Sequence, residues 1–300
     1  MTALDEKMRI WSQAPSITES DRIARTERAI NEAIQGSSDP RVRAAKVFAK
    51  GSVKAKTNIR NGSDIDIVVM PKNIFIAHYP ENLAHTDFGN ETISYSYSDF
   101  RKGVHNAIVD KFGDTEVTDG NKAIRIRGTF SGSRIDADVI PAFEHRRYTN
   151  PNDLEAFHPG MVFFTKNDSK EIINWPHHNY DNTIAKHEST GRRYRKVIRV
   201  LKNVRREMQD QGIGAAQDVA SFLIESLAWN APNHLYNQWT LSTDVFNVLD
   251  HTISATYTQE GCDEWGEVNE LKYLFKGGQK WTRQQAHDYL VAAKAYLEAI

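Results

Sequence analysis

Two aspartates, Asp64 and Asp66, stand one residue apart at the head of an apolar run, Ile67-Val68-Val69-Met70. In a strand, alternate side chains share a face, so the two carboxylates project together while Ile65 and Ile67 turn to the other side and bury. Carboxylates held side by side repel, and a divalent cation keeps both ionised. Hard oxygen ligands at this spacing suit Mg²⁺ or Mn²⁺, which complete their shells with water and substrate phosphates. Upstream, Gly51-Ser52 supplies backbone that allows close approach, N–H donors and a hydroxyl, as a polyphosphate requires. Either fragment alone is weak, since Asp-x-Asp also describes an ordinary solvated strand edge. Their order and gap together are far more specific than either fragment. The segment Arg134–Phe143 (RIDADVIPAF) offers Asp136 and Asp138 on one face. Asp136 is equally suited to pair with Arg125 or Arg127 across a strand pair.

These groups need a sheet and its supports. Ser16-x-x-Glu19 reads as a capping box opening a helix over 16–35, with Ile23, Ala29, Ile30, Ala33 and Ile34 on its apolar face. Residues 42–49 read as a strand running into Gly51. Residues 72–90 read as a loop, and Ser98 as the cap of a helix over about 99–112. Lys122–Arg127 and Arg134–Ile140 read as paired strands. Residues 145–180 read as loop-rich, punctuated by Pro151, Pro159, Gly160 and Pro176, with a short strand at 161–165. A helix over 191–210 carries an apolar stripe (Val197, Val200, Leu201, Val204, Met208) and a basic one (Arg192, Arg195, Arg199, Lys202, Arg206). The basic stripe is either a solvated face or a phosphate-holding one, with Lys202 the best point charge for a triphosphate. Asp218 reads as the N-cap of a helix over 218–229, and Thr282-x-x-Gln285 caps a last helix. The resulting division is an α+β lobe over 1–150 and a mainly helical lobe over 151–300.

Composition narrows the function classes. The 300 residues carry 38 basic and 39 acidic side chains, a formal net charge of −1, so no broad polyanion-binding surface is expected and stable nucleic-acid binding is disfavoured. Cys262 is the one cysteine, which rules out an internal disulfide and a zinc-binding cysteine cluster. No apolar run reaches membrane-spanning length, so the expectation is a soluble, cytoplasmic protein with no membrane partner. His177, His178 and His187 read as polar residues rather than a zinc site.

The GS, gap and D-x-D order resembles the nucleotidyltransferase superfamily of DNA polymerase β type. More closely, the chain resembles the bacterial CD-NTases, the cGAS/DncV-like nucleotidyltransferases of CBASS anti-phage systems. The likeness lies in GSVKAKTNIRNGSDIDIVV and in EVTDGNKAIRIRG followed by DADVIPAFEHRRY. MVFFTKNDSKEIINWPHHNYDN, YRKVIRVLKNVRREMQDQG, ASFLIESLAWNAP and the early RIWSQAP look most like the E clade, the CdnE type. The resemblance implies a polymerase-β-like lobe with a mixed sheet, a helical C-terminal lobe, and a catalytic cleft between them. It also chooses Asp138, which stands in the pattern D-h-h-P, as the third ligand beside Asp64 and Asp66, the three holding two Mg²⁺ or Mn²⁺ ions. Gly51, Ser52, Lys202, Ser221, Asn174 and Tyr180 are the implied nucleotide-binding set. Asn174 would read uracil through its amide, although an Asn before Trp175-Pro176 also suits a turn. Tyr180 or Trp175 would stack on a base or belong to the core. The implied activity joins two nucleoside triphosphates, ATP and UTP, into a uridine-containing cyclic dinucleotide such as cyclic UMP-AMP, which activates a downstream effector protein. A mononucleotide transferase acting on a small molecule, a protein or an RNA end would use the same aspartates. A binding module without activity would be expected to lack one of them, and none is missing.

Overall fold

The computed structural model describes residues 2–60, 64–129, 132–150, 153 and 155–300. Asn61-Gly62-Ser63 of the first motif, and Pro151, lie outside the described residues. The elements in chain order are α1 (Ala3–Trp11), α2 (Ile17–Gln35), α3 (Pro40–Arg43), β1 (Lys46–Lys50), α4 (Gly51–Ala55), β2 (Ile65–Met70) and β3 (Phe75–His78). They continue with α5 (Tyr97–Phe112), β4 (Val117–Asp119), β5 (Ile124–Ile126), β6 (Ala137–Pro141), β7 (Phe143–Tyr148), β8 (Phe157–Phe164) and β9 (Glu171–Asn174). The rest is helical: α6 (Pro176–Ser189), α7 (Tyr194–Asp210), α8 (Ser221–Asn230), α9 (Leu241–Thr256) and α10 (Arg283–Glu298).

The chain forms two compact units, and no single boundary at 150/151 separates them. One unit comprises 16–54 and 63–177, and the other 1–15, 55–62 and 178–300. The expected division is corrected because β8 and β9, after residue 150, hydrogen-bond to β7, whereas α1 packs on α7 and α9.

The sheet unit holds a five-stranded sheet in the order β1-β2-β6-β5-β4 and a four-stranded sheet β3-β7-β8-β9. Among the described residues, only β2–β6 is parallel in the first sheet, and only β3–β7 in the second. Alternation places Ile65, Ile67 and Val69 of β2 with Ala137 and Val139 of β6 against α2 and α5, through Ile30, Ile34, Phe100, Val104 and Ile108. The other face of the same strands continues from the carboxylates into Val68, Met70 and Ile140, covered by Met161 and Phe163. The Ser16 hydroxyl accepts from Glu19 N at 3.2 Å and starts α2 as the sequence predicts. α5 starts two residues early: Ser96, not Ser98, caps it through Asp99 N, and Ser98 hydrogen-bonds the Ser96 hydroxyl.

In the helical unit, α7, α8, α9 and α10 pack around Tyr194, Val197, Leu201, Leu223, Leu249, Tyr289 and Leu290. The expected Asp218 cap is corrected: Asp218 has φ +58°, and α8 opens three residues later with Ala220 at the cap position. Thr282 and Gln285 form the expected capping box of α10. No helix among the described residues is long and apolar enough to cross a membrane.

One buried cation in this unit gives a pH test. The Lys186 ammonium donates to Trp229 O at 2.8 Å and Ala231 O at 2.7 Å and lies 5.1–5.7 Å from the rings of Trp229, Tyr236 and Tyr194. Loss of hydration lowers its pKa from 10.5 to about 8, against the weak pull of Glu270. Between those values the unfolded chain holds a proton that the folded one has shed, so stability contributed by this site rises with pH. The unfolding free energy of wild type relative to Lys186→Met is therefore expected to climb from about pH 8 to 10.5. Urea titrations across that range check it, and a flat difference would refute the lowered pKa.

Candidate active site

β2 and β6 run parallel with Asp66 directly opposite Asp138. Asp64 precedes β2 by one residue and sits two positions from Asp66, so all three carboxylates reach one face of the sheet. β1 ends by pairing Lys50 with Asp66, and β5 pairs Arg125 with Asp138. Lys50 Nζ stands 3.7 Å from Asp66 Oδ1, and Arg125 Nε 3.5 Å from Asp138 Oδ1. Gly51 follows Lys50 at φ +67°, and a Cβ there would collide with Oδ2 of Asp66. Both the left-handed backbone and the contact demand glycine. Ser52 follows within α4, half-buried.

The electrostatics are those of crowded like charges. Loss of hydration raises the Asp64 pKa, and the negative charges of Asp136 and Asp66 add to it while Arg125 opposes. Asp138 is raised by loss of hydration and then by Asp66, again opposed by Arg125. Asp136 does not take the ion pair expected for it. Its Oδ1 accepts from Gly128 N at 2.6 Å, tying the loop between β5 and β6, and Arg125 faces Asp138 instead. The register decides this, because Arg125 lies opposite Asp138 and Ile126 opposite Ala137. A cavity of about 380 Å³ opens beside the carboxylates, lined by Asp64, Thr118, Arg125, Arg127, Asp136 and Asp138 among others.

Among the described residues no three His, Cys, Asp or Glu side chains converge on one point as a chelate. The carboxylates stand in a row, with Asp66 and Asp138 each beside a cation. The donor set nevertheless fits a hard divalent ion: the ligands are all oxygen, their charges repel, and Gly51 keeps the space beside Asp66 free of a side chain.

The remaining expected residues fall in different places. Asn174 ends β9 opposite Met161, half-buried, and its side-chain amide makes no hydrogen bond among the described residues. Trp175 is core, at 5.8 Å from the His145 ring and under the Arg147 guanidinium. Tyr180 is half-buried on α6, where its ring influences Arg195. His177 stacks on Phe48, and loss of hydration lowers His187 to about 4.

Lys202 is the clearest departure. It is 2 % exposed, and its ammonium donates to Glu225 Oε1 at 2.5 Å and Thr57 O at 3.1 Å. Arg192 precedes α7 and is exposed, paired with Glu188, but from Arg199 onward the basic stripe is neither a solvated face nor a row of free cations. Arg199 donates to Lys56 O and Ser12 O at 2.7 Å, and Arg206 to Arg60 O at 2.9 Å. Helical spacing thus matches side chains to successive carbonyls of the segment that leads from Gly51-Ser52 to Asp64. Thr57 Oγ1 also donates to Glu225, and Ser221 opens α8 one turn before that residue. Lys50, Thr57 and Glu225 escape sequence reasoning, and Arg125 is expected opposite Asp136 rather than Asp138, because cross-strand and interhelix partners are not encoded locally. The one visible signal is the basic alternation of Lys122–Arg127.

Residues 181–298 match the cGAS/DncV-like nucleotidyltransferase C-terminal helical domain. The chain is 33 % identical to the cyclic dipyrimidine nucleotide synthase CdnE of Cecembia lonarensis over 98 % of each chain. Its fold is similar to the Rhodothermus marinus CdnE c-UMP-AMP synthase solved with Apcpp and Upnpp, with TM-score 0.83 and 25 % identity over 98 % of this chain and 94 % of that one. It is also similar to the Elizabethkingia meningoseptica CdnE cyclic dinucleotide synthase solved with GTP and Apcpp, with TM-score 0.79 and 28 % identity over 98 % of both.

Proposed function

We propose, from the premise that this chain belongs to the CdnE-type cGAS/DncV-like nucleotidyltransferases, that it joins ATP and UTP into a uridine-containing cyclic dinucleotide such as cyclic UMP-AMP. The product is read as a cytoplasmic second messenger of CBASS anti-phage defence, acting on an effector protein. The observation that carries the catalytic reading is the in-register pair Asp66 and Asp138 beside Gly51, on a chain whose near-full-length relatives are cyclic nucleotide synthases.

In each step a ribose hydroxyl forms an O–P bond to the α-phosphorus of a triphosphate and pyrophosphate leaves. Asp138, directly opposite Asp66 on the neighbouring strand, takes the hydroxyl proton on a carboxylate oxygen. Gly51 lets the backbone approach the phosphates, and the Ser52 hydroxyl donates to them. Asp64, Asp66 and Asp138 would hold two Mg²⁺ or Mn²⁺ ions, which supply charge neutralisation and hydroxyl acidification when bound. The protein's contribution is chiefly position and fixed charge.

Base choice differs among the relatives, so side chains rather than the fold set it. The Asn174 amide both donates and accepts, which suits the N3–H and O4 edge of uracil. Asn174→Ser is expected to move incorporation from pyrimidine towards purine, read by mass spectrometry of products from mixed triphosphates. Unchanged base usage would make Asn174 structural.

The reading as a whole is tested by incubating the protein with all four ribonucleoside triphosphates and Mg²⁺ or Mn²⁺, then phosphatase, then mass spectrometry. A resistant uridine-containing cyclic dinucleotide is expected. A purine-only ring would overturn the base assignment, and single-nucleotide transfer to an added acceptor would favour the mononucleotide transferase.

A further inference from the structure

Four strands bring four charges into one line across the sheet. Lys50 on β1 is opposite Asp66 on β2, Asp66 opposite Asp138 on β6, and Asp138 opposite Arg125 on β5. The signs run plus, minus, minus, plus. Opposite charges at directly facing positions attract and like charges repel, so the central contact is the unfavourable one and each end relieves it. Both relieving contacts are loose. At 3.7 and 3.5 Å they exceed the roughly 2.7–2.9 Å of a charge-assisted hydrogen bond. The Arg125 side chain is 72 % exposed and lines the cavity of about 380 Å³ together with Arg127. A clamp built only to fasten strands would gain from close contact, which neither end makes: even Lys50, only 18 % exposed, stands 3.7 Å from its partner.

We propose that Lys50 and Arg125 are internal counter-cations, which occupy the carboxylates of Asp66 and Asp138 until a divalent ion displaces them. Once displaced, Arg125 turns with Arg127 towards the phosphates of a nucleotide in the adjoining cavity. This rests on the reading of the aspartates as a divalent-cation site. The two cations compete with the metal for its ligands, so removing them tightens metal binding while weakening nucleotide binding. A purely structural pair has no such opposed effects.

The test is Mn²⁺ affinity without nucleotide, from the electron paramagnetic resonance signal of free Mn²⁺. Lys50→Met with Arg125→Met is expected to bind Mn²⁺ roughly two- to tenfold tighter than wild type. Arg125→Lys, which keeps the charge, is expected to return towards wild type relative to Arg125→Met. The KM for nucleoside triphosphate is expected to rise in Arg125→Met. Arg125 is exposed, so the single Arg125→Met variant carries the test if the double one fails to fold. Unchanged or weaker Mn²⁺ binding in folded Arg125→Met overturns the proposal. Asp66→Asn with Asp138→Asn separates the two failures. If that variant still binds Mn²⁺ like wild type, the metal reading itself falls. If it loses binding while the cation variants gain none, only the displacement falls.

Discussion

Asp66→Asn with Asp138→Asn is expected to give a folded protein that forms no cyclic product, a loss of at least about 10²–10³-fold. The two residues face each other across the single parallel pair of the five-stranded sheet, and their amide counterparts neither hold a hard cation nor accept a hydroxyl proton. Folding should survive for a reason visible in the electrostatics. Asp138 has a raised folded-state pKa, caused by lost hydration and by Asp66. For a carboxyl raised in this way, the stability contribution is fully present below the unfolded pKa and is lost as pH rises through the folded one. At neutral pH the charge therefore opposes folding, and an amide removes that opposition. The metal-free melting temperature of the variant is expected to match or exceed wild type at pH 7. The difference should fade as pH falls into the ordinary carboxylate range, where the raised pKa leaves the folded carboxyl protonated. Mg²⁺ should raise the melting temperature of wild type and leave the variant unmoved. A variant that is inactive and also less stable at neutral pH would make these aspartates structural.

What the sequence made legible is what is encoded locally. Period-two alternation placed Asp64 and Asp66 on one face, and Ile65 and Ile67 are indeed fully buried on the other. Ser16 and Thr282 act within one helical turn, and both caps appear where the residues predict. Apart from the strand read at 161–165, the second sheet was hidden because its punctuation residues have another use. Gly160 lies inside β8, where a Cβ would sit 2.9 Å from Asn174 O and from the Trp175 ring. Glycine there permits close strand approach rather than marking a loop. In the same way β3 lies in a stretch read as loop, because it pairs with β7 from far along the chain. The three aspartates were legible as residue types at a spacing. The cations that flank it depend on register, which the sequence does not state.

Lys202→Met is expected to cost roughly 3–5 kcal/mol, the largest stability loss among these substitutions, because it strands a buried carboxylate. Glu225 has a side chain only 9 % exposed, and its Oε1 accepts from both Lys202 and Thr57. Without the ammonium, that charge has only a hydroxyl, and Thr57 O loses its donor as well. Removing the carboxylate too should reverse most of the loss, since a buried ion pair replaced by neutral groups of similar volume is often neutral in stability. Lys202→Met with Glu225→Gln keeps a carbonyl oxygen for the Thr57 hydroxyl. Its stability is expected within about 1–2 kcal/mol of wild type. Urea titration of the four proteins gives the coupling as a double-mutant cycle. The same double variant decides between the two roles argued for this lysine. If the ammonium serves only to fasten residues 56–60 to α7, the restored protein should keep the wild-type KM for nucleoside triphosphates. If Lys202 also touches a triphosphate, as its sequence context led us to expect, KM should rise although stability has returned.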